Sequence, residues 1–345
     1  MQDDGFNTTN RDYSDEQREN DHRLSVLASM ESHVEKTLQF LKPVEKIWQP
    51  SDMLPGLSTP DWKEKLDETR EMSRCLSDDI LVVLVGDMIT EEALPSYQSE
   101  LGRFEGFQGT SGTSESPWAR WSRGWTAEEN RHGDILNRYL AYTGRVNMRS
   151  VEVTIQRLIR NGFDTGGDGN AYKGFVYTSF QERATKISHR NVGRVATAQG
   201  DPTLAKICNQ IANDEARHEE GYKSFMDRIF EIDPLGAIVA FGDVMKKMVV
   251  MPARLMDDGE TEDLYDKFMT VAQKLKVYTT IDYADIIDHL MNRWKISALS
   301  GLSGDAAKAQ DFLGGLSDRY RKLAGRVEKR LANEVPVQFS WLKTQ

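Results

Sequence analysis

The chain has 345 residues, of which 39% are hydrophobic and 28% are charged, proportions typical of a globular protein with a sizeable core. Its formal net charge of −10 disfavours nucleic acid as a general partner. The longest apolar runs, such as residues 80–85, are far shorter than the roughly 18 residues of a membrane-spanning helix, so we expect no membrane span. Two cysteines, Cys75 and Cys208, provide neither a disulfide framework nor a thiolate cluster, which favours a reducing compartment.

Residues 1–22 are predicted to form a disordered acidic tail ahead of a single domain at residues 23–345. Seven acidic residues stand against Arg11 and Arg18 within the first 21 positions. Organelle-targeting peptides are rich in Arg and Ser and poor in acids, so no transit peptide is visible in this stretch.

Helical periodicity dominates the rest of the chain and predicts an all-α fold. A first helix is expected over residues 23–41, and a short charged helix over residues 61–74. Ser77 is a favourable N-cap and Pro117 a favourable first helical residue. Three or four amphipathic helices are expected after residue 234. Four long helices are predicted in the middle of the chain, at about residues 77–105, 117–143, 171–199 and 202–230.

Two of these long helices carry the same five-residue phrase. Glu128 and Glu129 are followed by His132, and Asp214 and Glu215 are followed by His218. Positions three apart share one face of a helix, so each Glu points the same way as its His. One such pair occurs by chance in many helices, but two pairs, each preceded by an acid, indicate a metal site.

The other two long helices each supply one further carboxylate, Glu91 and Glu182. Taken singly, a buried Glu is usually a paired structural carboxylate. A four-helix bundle in which two helices give a Glu and two give Glu-x-x-His is, however, a known way to hold two iron or manganese ions. Four carboxylates also neutralise two divalent ions, which lowers the cost of burying them. The predicted ligands are Glu91, Glu129, His132, Glu182, Glu215 and His218.

The acids that precede the two pairs have two interpretations. Metal-bound histidines normally donate their second N–H to a carboxylate. Symmetry would then direct Asp214 to His132 and Glu128 to His218, across the bundle. Alternatively, both acids form interior salt bridges with Arg131, Arg217 or Arg183.

Several stretches resemble the soluble plant acyl-[acyl-carrier-protein] desaturases. The resemblance extends from about residue 35 to the C-terminus and leaves out the acidic tail. It is carried by residues 42–46, 48–50, 82–95, 125–134, 177–185, 214–219, 282–286 and 293–295.

This resemblance implies a ferritin-like four-helix bundle with a di-iron centre, set inside a larger single helical domain. It implies a homodimeric enzyme of the plastid stroma that inserts a cis double bond into a saturated acyl chain on acyl carrier protein. Such enzymes use O2, two iron ions and two electrons from reduced ferredoxin. It also implies a catalytic role for Thr185 near the oxygen-binding side, and an electron route through Trp48, Asp214 and His132. Thr185 could equally bond its own helix backbone, and Trp48 could simply be packing.

An acyl pocket is expected beside the metal-bearing helices. Glu100 and Arg103 depart from the usual pattern of uncharged residues, and they lie three apart, where they can pair. Because Arg103 and Phe104 could shorten or reshape the pocket, chain length and double-bond position are left open. By resemblance, the rest of the lining includes Met88, Leu101, Phe104, Thr165, Gly174, Phe175 and Thr178.

Acyl carrier protein is acidic, so docking onto this acidic chain requires local positive charge. The candidate docking residues are Lys42, Lys46, Arg217, Lys246 and Lys247. Each could equally be an ordinary solvated charge on a helix face.

Two other functions use similar ligands. An iron-storage or ferroxidase protein would have a shorter chain and would leave the C-terminal helices unexplained. A radical-generating reductase subunit would need a redox-active tyrosine near the metals, and Tyr177 is predicted to lie off the ligand face.

Overall fold

The computed structural model describes residues 9–56, 58–107, 109, 111–331 and 337–343, and within these ranges it contains no β-strand, only an isolated bridge between Val146 and Leu342. This confirms the predicted all-α class. The α-helices of the described chain are α1 (Thr9–Ser29), α2 (Glu31–Thr37), α3 (Trp62–Ser73), α4 (Asp78–Glu92), α5 (Leu94–Leu101), α6 (Pro117–Thr143), α7 (Met148–Asn161), α8 (Ala171–Gln199), α9 (Pro202–Ile232), α10 (Pro234–Lys247), α11 (Leu264–Lys274), α12 (Thr280–Arg293), α13 (Gly304–Gly314) and α14 (Leu316–Leu331).

Helices α4, α6, α8 and α9 form the central bundle, in which α8 packs along α9, and α4 packs on α6 and α8. Local sequence sets their ends. Asn170 caps α8 by accepting hydrogen bonds from two backbone N–H groups, and Gly200 ends it in the left-handed conformation that glycine adopts without strain. Asp201 then caps α9, whose first residue is Pro202. The tight connection makes α8 and α9 antiparallel neighbours.

Two apolar clusters pack the interior around this bundle. One contains an aromatic group from α6, α8 and α9, including Trp121 and Tyr222, and the other contains most of α4. Residues 80–91 of α4 are all buried, because other helices cover it on every side. Tyr97 and Met269 pack against both clusters and so connect them. None of the described helices is long and apolar enough to cross a membrane.

The helix predicted at residues 77–105 is interrupted. Ser77 caps α4 as predicted, but α4 ends at Glu92 and α5 begins at Leu94. Proline has no N–H to donate to the carbonyl four residues earlier, and its ring clashes with that carbonyl, so Pro95 cannot continue α4. α5 itself stops at Leu101, which leaves Arg103 and Phe104 in the turn that follows.

The predicted disordered tail is wrong over residues 9–22, which belong to α1, and its first eight residues lie outside the described chain. Val26, Leu27 and Met30 anchor this part of the chain in the core. Residues 16–22 are mostly exposed, and they begin with the good helix formers Glu16, Gln17, Arg18 and Glu19. The three or four helices expected after residue 234 are also too few, because the described chain has five from Pro234 onward, α10 to α14.

Close packing between α6 and α9 leads to a first prediction. A Cβ at Gly221 would lie 1.9 Å from Cη2 of Trp121, which is fully buried. We therefore expect Gly221→Ala to lower the free energy of unfolding by about 1–3 kcal/mol. Gly325→Ala is the matched control, because a Cβ added at Gly325 in α14 would meet no neighbouring side chain or segment within 4 Å. Alanine there should leave the free energy of unfolding unchanged or raise it by about 0.5–1 kcal/mol. Denaturant unfolding measures both, and equal effects would contradict the packing argument.

Candidate metal centre

The six predicted ligand side chains meet inside the central bundle, and each is at least 92% buried. The structure defines two overlapping groups whose ligand atoms lie within 4.8 Å of one another. The first group holds Glu91 and His132, and the second holds Glu182 and His218; Glu129 and Glu215 belong to both groups. The exposed fractions of the six residues lie between 0% and 8%. Two shared and two unshared carboxylates form the arrangement that a pair of bridged metal ions requires.

Each histidine directs Nδ1 to the centre of its group. His132 Nδ1 lies 3.2 Å from Glu129 Oε2 and 3.5 Å from Glu215 Oε1. His218 Nδ1 lies 2.6 Å from Glu129 Oε1. Within the described residues neither Nδ1 has a hydrogen-bond partner of acceptable geometry. A buried polar atom without a partner is costly, whereas a divalent cation bound by these atoms would satisfy both. The donor set therefore fits metal ions.

The electrostatics of the six side chains point the same way. Burial raises the pKa of Glu182 and of Glu215, and repulsion by Glu129 adds to it. Burial opposes protonation of His132 and His218, but attraction by Glu129 raises both pKa values well above the usual range. Without metal, protons on the two imidazoles compensate the carboxylates. Metal binding must displace such protons, so affinity should fall as pH falls.

Glu128 and Asp214 each contact both kinds of partner considered for them, a histidine and an arginine. Glu128 Oε2 accepts a hydrogen bond from His218 Nε2 at 3.1 Å, and Asp214 Oδ2 lies 3.5 Å from His132 Nε2. Arg217 bridges the two acids, with Nη2 at 2.5 Å from Glu128 and 2.6 Å from Asp214. The interior salt bridges and the histidine contacts are thus parts of one network. The other arginines divide: Arg131 binds Asp214 at 3.0 Å, and Arg183 binds Glu219 instead.

Trp48 connects the N-terminal segment to this network. Its Nε1 donates to Asp214 Oδ2 at 2.7 Å, and its ring lies parallel to that of His132, with centroids 6.2 Å apart. The Arg131 guanidinium lies 4.8 Å above the same indole. The indole of Trp48 is thus packed between Asp214, His132 and Arg131.

One cavity borders the centre, with about 590 Å³ of space that includes its opening to solvent. Four of the candidate ligands line it, namely Glu91, Glu129, Glu182 and Glu215. Of the residues predicted for an acyl pocket, the cavity is lined by Glu100, Leu101, Thr165 and Thr178. Thr185 also lines it, while its hydroxyl bonds the carbonyls of Gln181 and Glu182.

Five residues predicted for the pocket do not line this cavity. Met88 packs in the apolar cluster around α4. Phe104 is buried against Gly174, where a Cβ would lie 2.3 Å from its ring, and Phe175 stacks on Trp118. The side chain of Arg103 is 62% exposed. Because α5 ends at Leu101, residues 103 and 104 no longer follow the face that a helix through residue 105 would give them.

Sequence reasoning missed several residues at the site. His189 and Trp125 bind two of the candidate ligands, and Tyr97, Phe163 and Pro252 line the cavity. Tyr177 also lines it, although sequence reasoning placed this residue off the ligand face of α8 and did not assign it to the pocket. Spacing could have found part of this set, because the cavity-facing residues of α8 recur every three or four positions: Tyr177, Thr178, Gln181, Glu182 and Thr185.

The five candidate docking cations have different surroundings. Arg217 is held inside by Glu128, Asp214 and the Phe40 carbonyl, so its charge is already used. Lys42 lies 3.6 Å from Asp214, whereas Lys46 is exposed. The last two pair locally, Lys246 with Asp243, and Lys247 with Asp168 and the Gly166 carbonyl.

The buried Glu128 network leads to a pH-dependent prediction. Burial opposes ionisation of Glu128, but hydrogen bonds from His218 and Arg217 outweigh it and lower its pKa from 4.5 to about 2. A lowered carboxyl pKa contributes stability above the unfolded value and loses it as pH falls toward the folded value. In metal-free protein, Glu128→Gln should therefore cost about 2–3 kcal/mol near pH 7 and clearly less near pH 3.

Glu35→Gln is the matched control, because Glu35 forms an exposed pair with Arg120 and should matter by less than about 1 kcal/mol at either pH. Denaturant unfolding at both pH values measures the two variants. An equal loss for Glu128→Gln at both would contradict the assignment.

Known proteins share this sequence and fold. Residues 22–343 match the family described as "Fatty acid desaturase". The chain is 52% identical over 321 residues to stearoyl-[acyl-carrier-protein] 9-desaturase, chloroplastic, of Brassica napus, covering 93% of this chain and 81% of that protein. It is 51% identical over 324 residues to stearoyl-[acyl-carrier-protein] 9-desaturase 1, chloroplastic, of Arabidopsis thaliana, covering 93% and 82%.

A solved structure from Mycobacterium tuberculosis, described as the acyl-ACP desaturase DesA2, aligns with a TM-score of 0.53. The alignment covers 83% of this chain and 99% of that one at 19% identity, so it speaks for the fold alone, and it confirms the predicted ferritin-like helical architecture. The identity to the plant proteins is far higher. The chain therefore belongs to the fatty acid desaturase family, in the branch that contains the plant stearoyl-[acyl-carrier-protein] 9-desaturases.

Proposed function

We propose that this chain is an acyl-[acyl-carrier-protein] desaturase that inserts a cis double bond into a saturated acyl chain at a di-iron centre. One observation carries the proposal: a single cavity is lined both by apolar side chains and by carboxylates of the candidate metal centre. A ferroxidase needs the carboxylates but has no use for an apolar cavity beside them. The high identity to plant desaturases favours the same conclusion.

The metals proposed are two iron ions, as Fe2+ in the reduced form. Glu91 and His132 would bind one ion, Glu182 and His218 the other, and Glu129 and Glu215 both. Bound iron would supply the oxidising power that attack on an unactivated C–H bond requires and that no side chain has. The unpartnered Nδ1 atoms of the two histidines support this assignment.

The protein would contribute position and shelter. Leu101, Phe163 and Tyr177 give the cavity apolar walls that hold an acyl chain beside the carboxylates and exclude water from it. Thr185 places a hydroxyl on the same wall, one turn beyond Glu182. We propose that this hydroxyl has the catalytic role near the oxygen-binding side that the family resemblance implies for Thr185.

The electrons are proposed to come from reduced ferredoxin through Trp48, with Asp214 and His132 as the inner steps. The indole N–H bond to Asp214 and the parallel rings of Trp48 and His132 support this route. For the acidic carrier protein, three of the five candidate cations are exposed, namely Lys46 and, at the end of α10, Lys246 and Lys247. Homodimer formation and a plastid location are proposed from the family resemblance and the chloroplastic relatives.

The test is direct. Reduced, iron-loaded protein is incubated with ferredoxin, O2 and saturated acyl carrier proteins from tetradecanoyl to octadecanoyl, and gas chromatography should detect a monounsaturated product. His218→Ala should lose both iron and activity. His33→Ala, whose imidazole bonds Ser224 on the outside of the bundle, should keep both. Absence of unsaturation with every chain length, or full iron content in His218→Ala, would refute the proposal.

Glu100 gives a prediction about chain length. Its carboxylate is 3% exposed, accepts hydrogen bonds from the Thr165 backbone and hydroxyl, and pairs with Arg103 at 3.1 Å. An acyl chain cannot displace this bonded carboxylate cheaply, so Glu100 limits the cavity. We expect Glu100→Ala to raise kcat/KM for longer relative to shorter chains by about 10-fold or more. Arg103→Ala, whose side chain is mostly in solvent, should change the ratio less, and an unchanged ratio in Glu100→Ala would show that Glu100 sets no limit.

A further inference from the structure

The two outer carboxylates of the candidate metal centre are held alike by different donors. Glu91 Oε1 accepts a hydrogen bond from His189 Nε2 at 3.0 Å, and Glu182 Oε1 accepts one from Trp125 Nε1 at 2.8 Å. The second oxygen of each carboxylate faces a histidine. Glu91 Oε2 lies 3.8 Å from Nδ1 of His132, and Glu182 Oε2 lies 3.6 Å from Nδ1 of the other histidine. In each half, a protein donor therefore fixes one carboxylate oxygen, while the second oxygen faces the histidine of the same group.

His189 has few other reasons for its position. It lies on α8, 1% exposed, and in the described chain its Nδ1 has no hydrogen-bond partner. Its neighbour Ser188 bonds Asp87 instead. Burying an imidazole that makes one hydrogen bond is unfavourable compared with an apolar side chain of similar size. The thiol of Cys208 also lies against the imidazole, but the one well-aligned hydrogen bond of His189 is to Glu91, so that bond is its main polar contribution.

Trp125 provides the same kind of contact to Glu182 from among aromatic rings. Its ring lies edge-on to Tyr222, with centroids 6.1 Å apart, and edge-on to His218 at 6.5 Å. The indole N–H is a donor only and cannot accept a proton. One half of the centre is therefore supported by an imidazole in a polar pocket, and the other by an indole in an aromatic one.

We propose that His189 and Trp125 are positioning residues, each of which fixes the orientation of one outer carboxylate of the candidate metal centre, so that losing either donor weakens one metal position and spares the other. The inference rests on the proposed function in taking the six side chains as a two-metal site. A carboxylate without its donor is free to rotate, and binding must then order it. Residues that support metal ligands in this way typically change metal affinity by about 10–100-fold.

The experiment is an anaerobic titration of the metal-free full chain with Fe2+, and with Co2+ for its absorption spectrum. His189→Leu and Trp125→Phe remove one donor each while keeping a side chain of similar shape. Each should weaken one ion by about 10–100-fold and leave the other unchanged, and the two variants should alter different bands of the Co2+ spectrum. His189→Gln should restore binding, because its amide can donate to Glu91. Ser188→Ala, which removes a neighbouring hydroxyl that contacts no ligand, should bind both ions normally.

Unchanged affinity at both positions in Trp125→Phe and His189→Leu would overturn the inference. So would equal weakening of both ions in each variant, since that would mean a general disturbance of the bundle. If His189→Leu does not fold, Trp125→Phe decides alone, because its ring retains the aromatic packing. A wild-type chain that binds no metal would contradict the proposed function itself, whereas two normal sites in every variant would contradict only the positioning roles.

Discussion

The burial of six ionisable side chains in one interior space is the constraint on which the rest of this structure depends. Four carboxylates cannot be buried together unless positive charge accompanies them. Long helices make the space available: α6 has 27 residues and α9 has 31, lengths of about 40 and 46 Å. Glu129 and Glu215 lie near the middle of these helices, where backbone groups already bond one another. The site is therefore built from side chains alone.

The histidines extend this constraint outward. Each directs Nδ1 inward, so each Nε2 faces the surrounding acids: Glu128 accepts a hydrogen bond from His218, and Asp214 lies 3.5 Å from Nε2 of His132. These acids are buried in turn, and Arg217 lies between them. Trp48 and the Lys42 backbone N–H complete the layer, bonding Asp214 and Glu128 respectively. The irregular segment ahead of α3 is thereby fixed to the bundle by the same charges that the metal centre requires.

The convergence of the six candidate ligands was predictable, because the spacing of residues along each helix indicates it. Glu129 and His132 share a helix face by spacing alone, and Glu91 and Glu182 needed only the bundle pattern to be added. His189 was not predicted, because its role depends on α8 packing against α4. The pocket was only half predicted for a related reason. The pocket residues were assigned by family resemblance, which does not show that α5 ends at Leu101 and leaves Arg103 and Phe104 in the turn after it. Met88 packs instead in the apolar cluster around α4.

The break between α4 and α5 at Ala93 separates the helix that carries Glu91 from a short helix that lines the cavity. Residues 80–91 of α4 are buried on all sides and include Glu91, so substitutions there would disturb the centre. α5 is a separate short helix after a proline, and it contributes Tyr97, Glu100 and Leu101 to the cavity wall. It can change composition without changing the geometry of the carboxylates. Substitutions within these eight residues can therefore reshape this part of the cavity wall while Glu91 keeps its position.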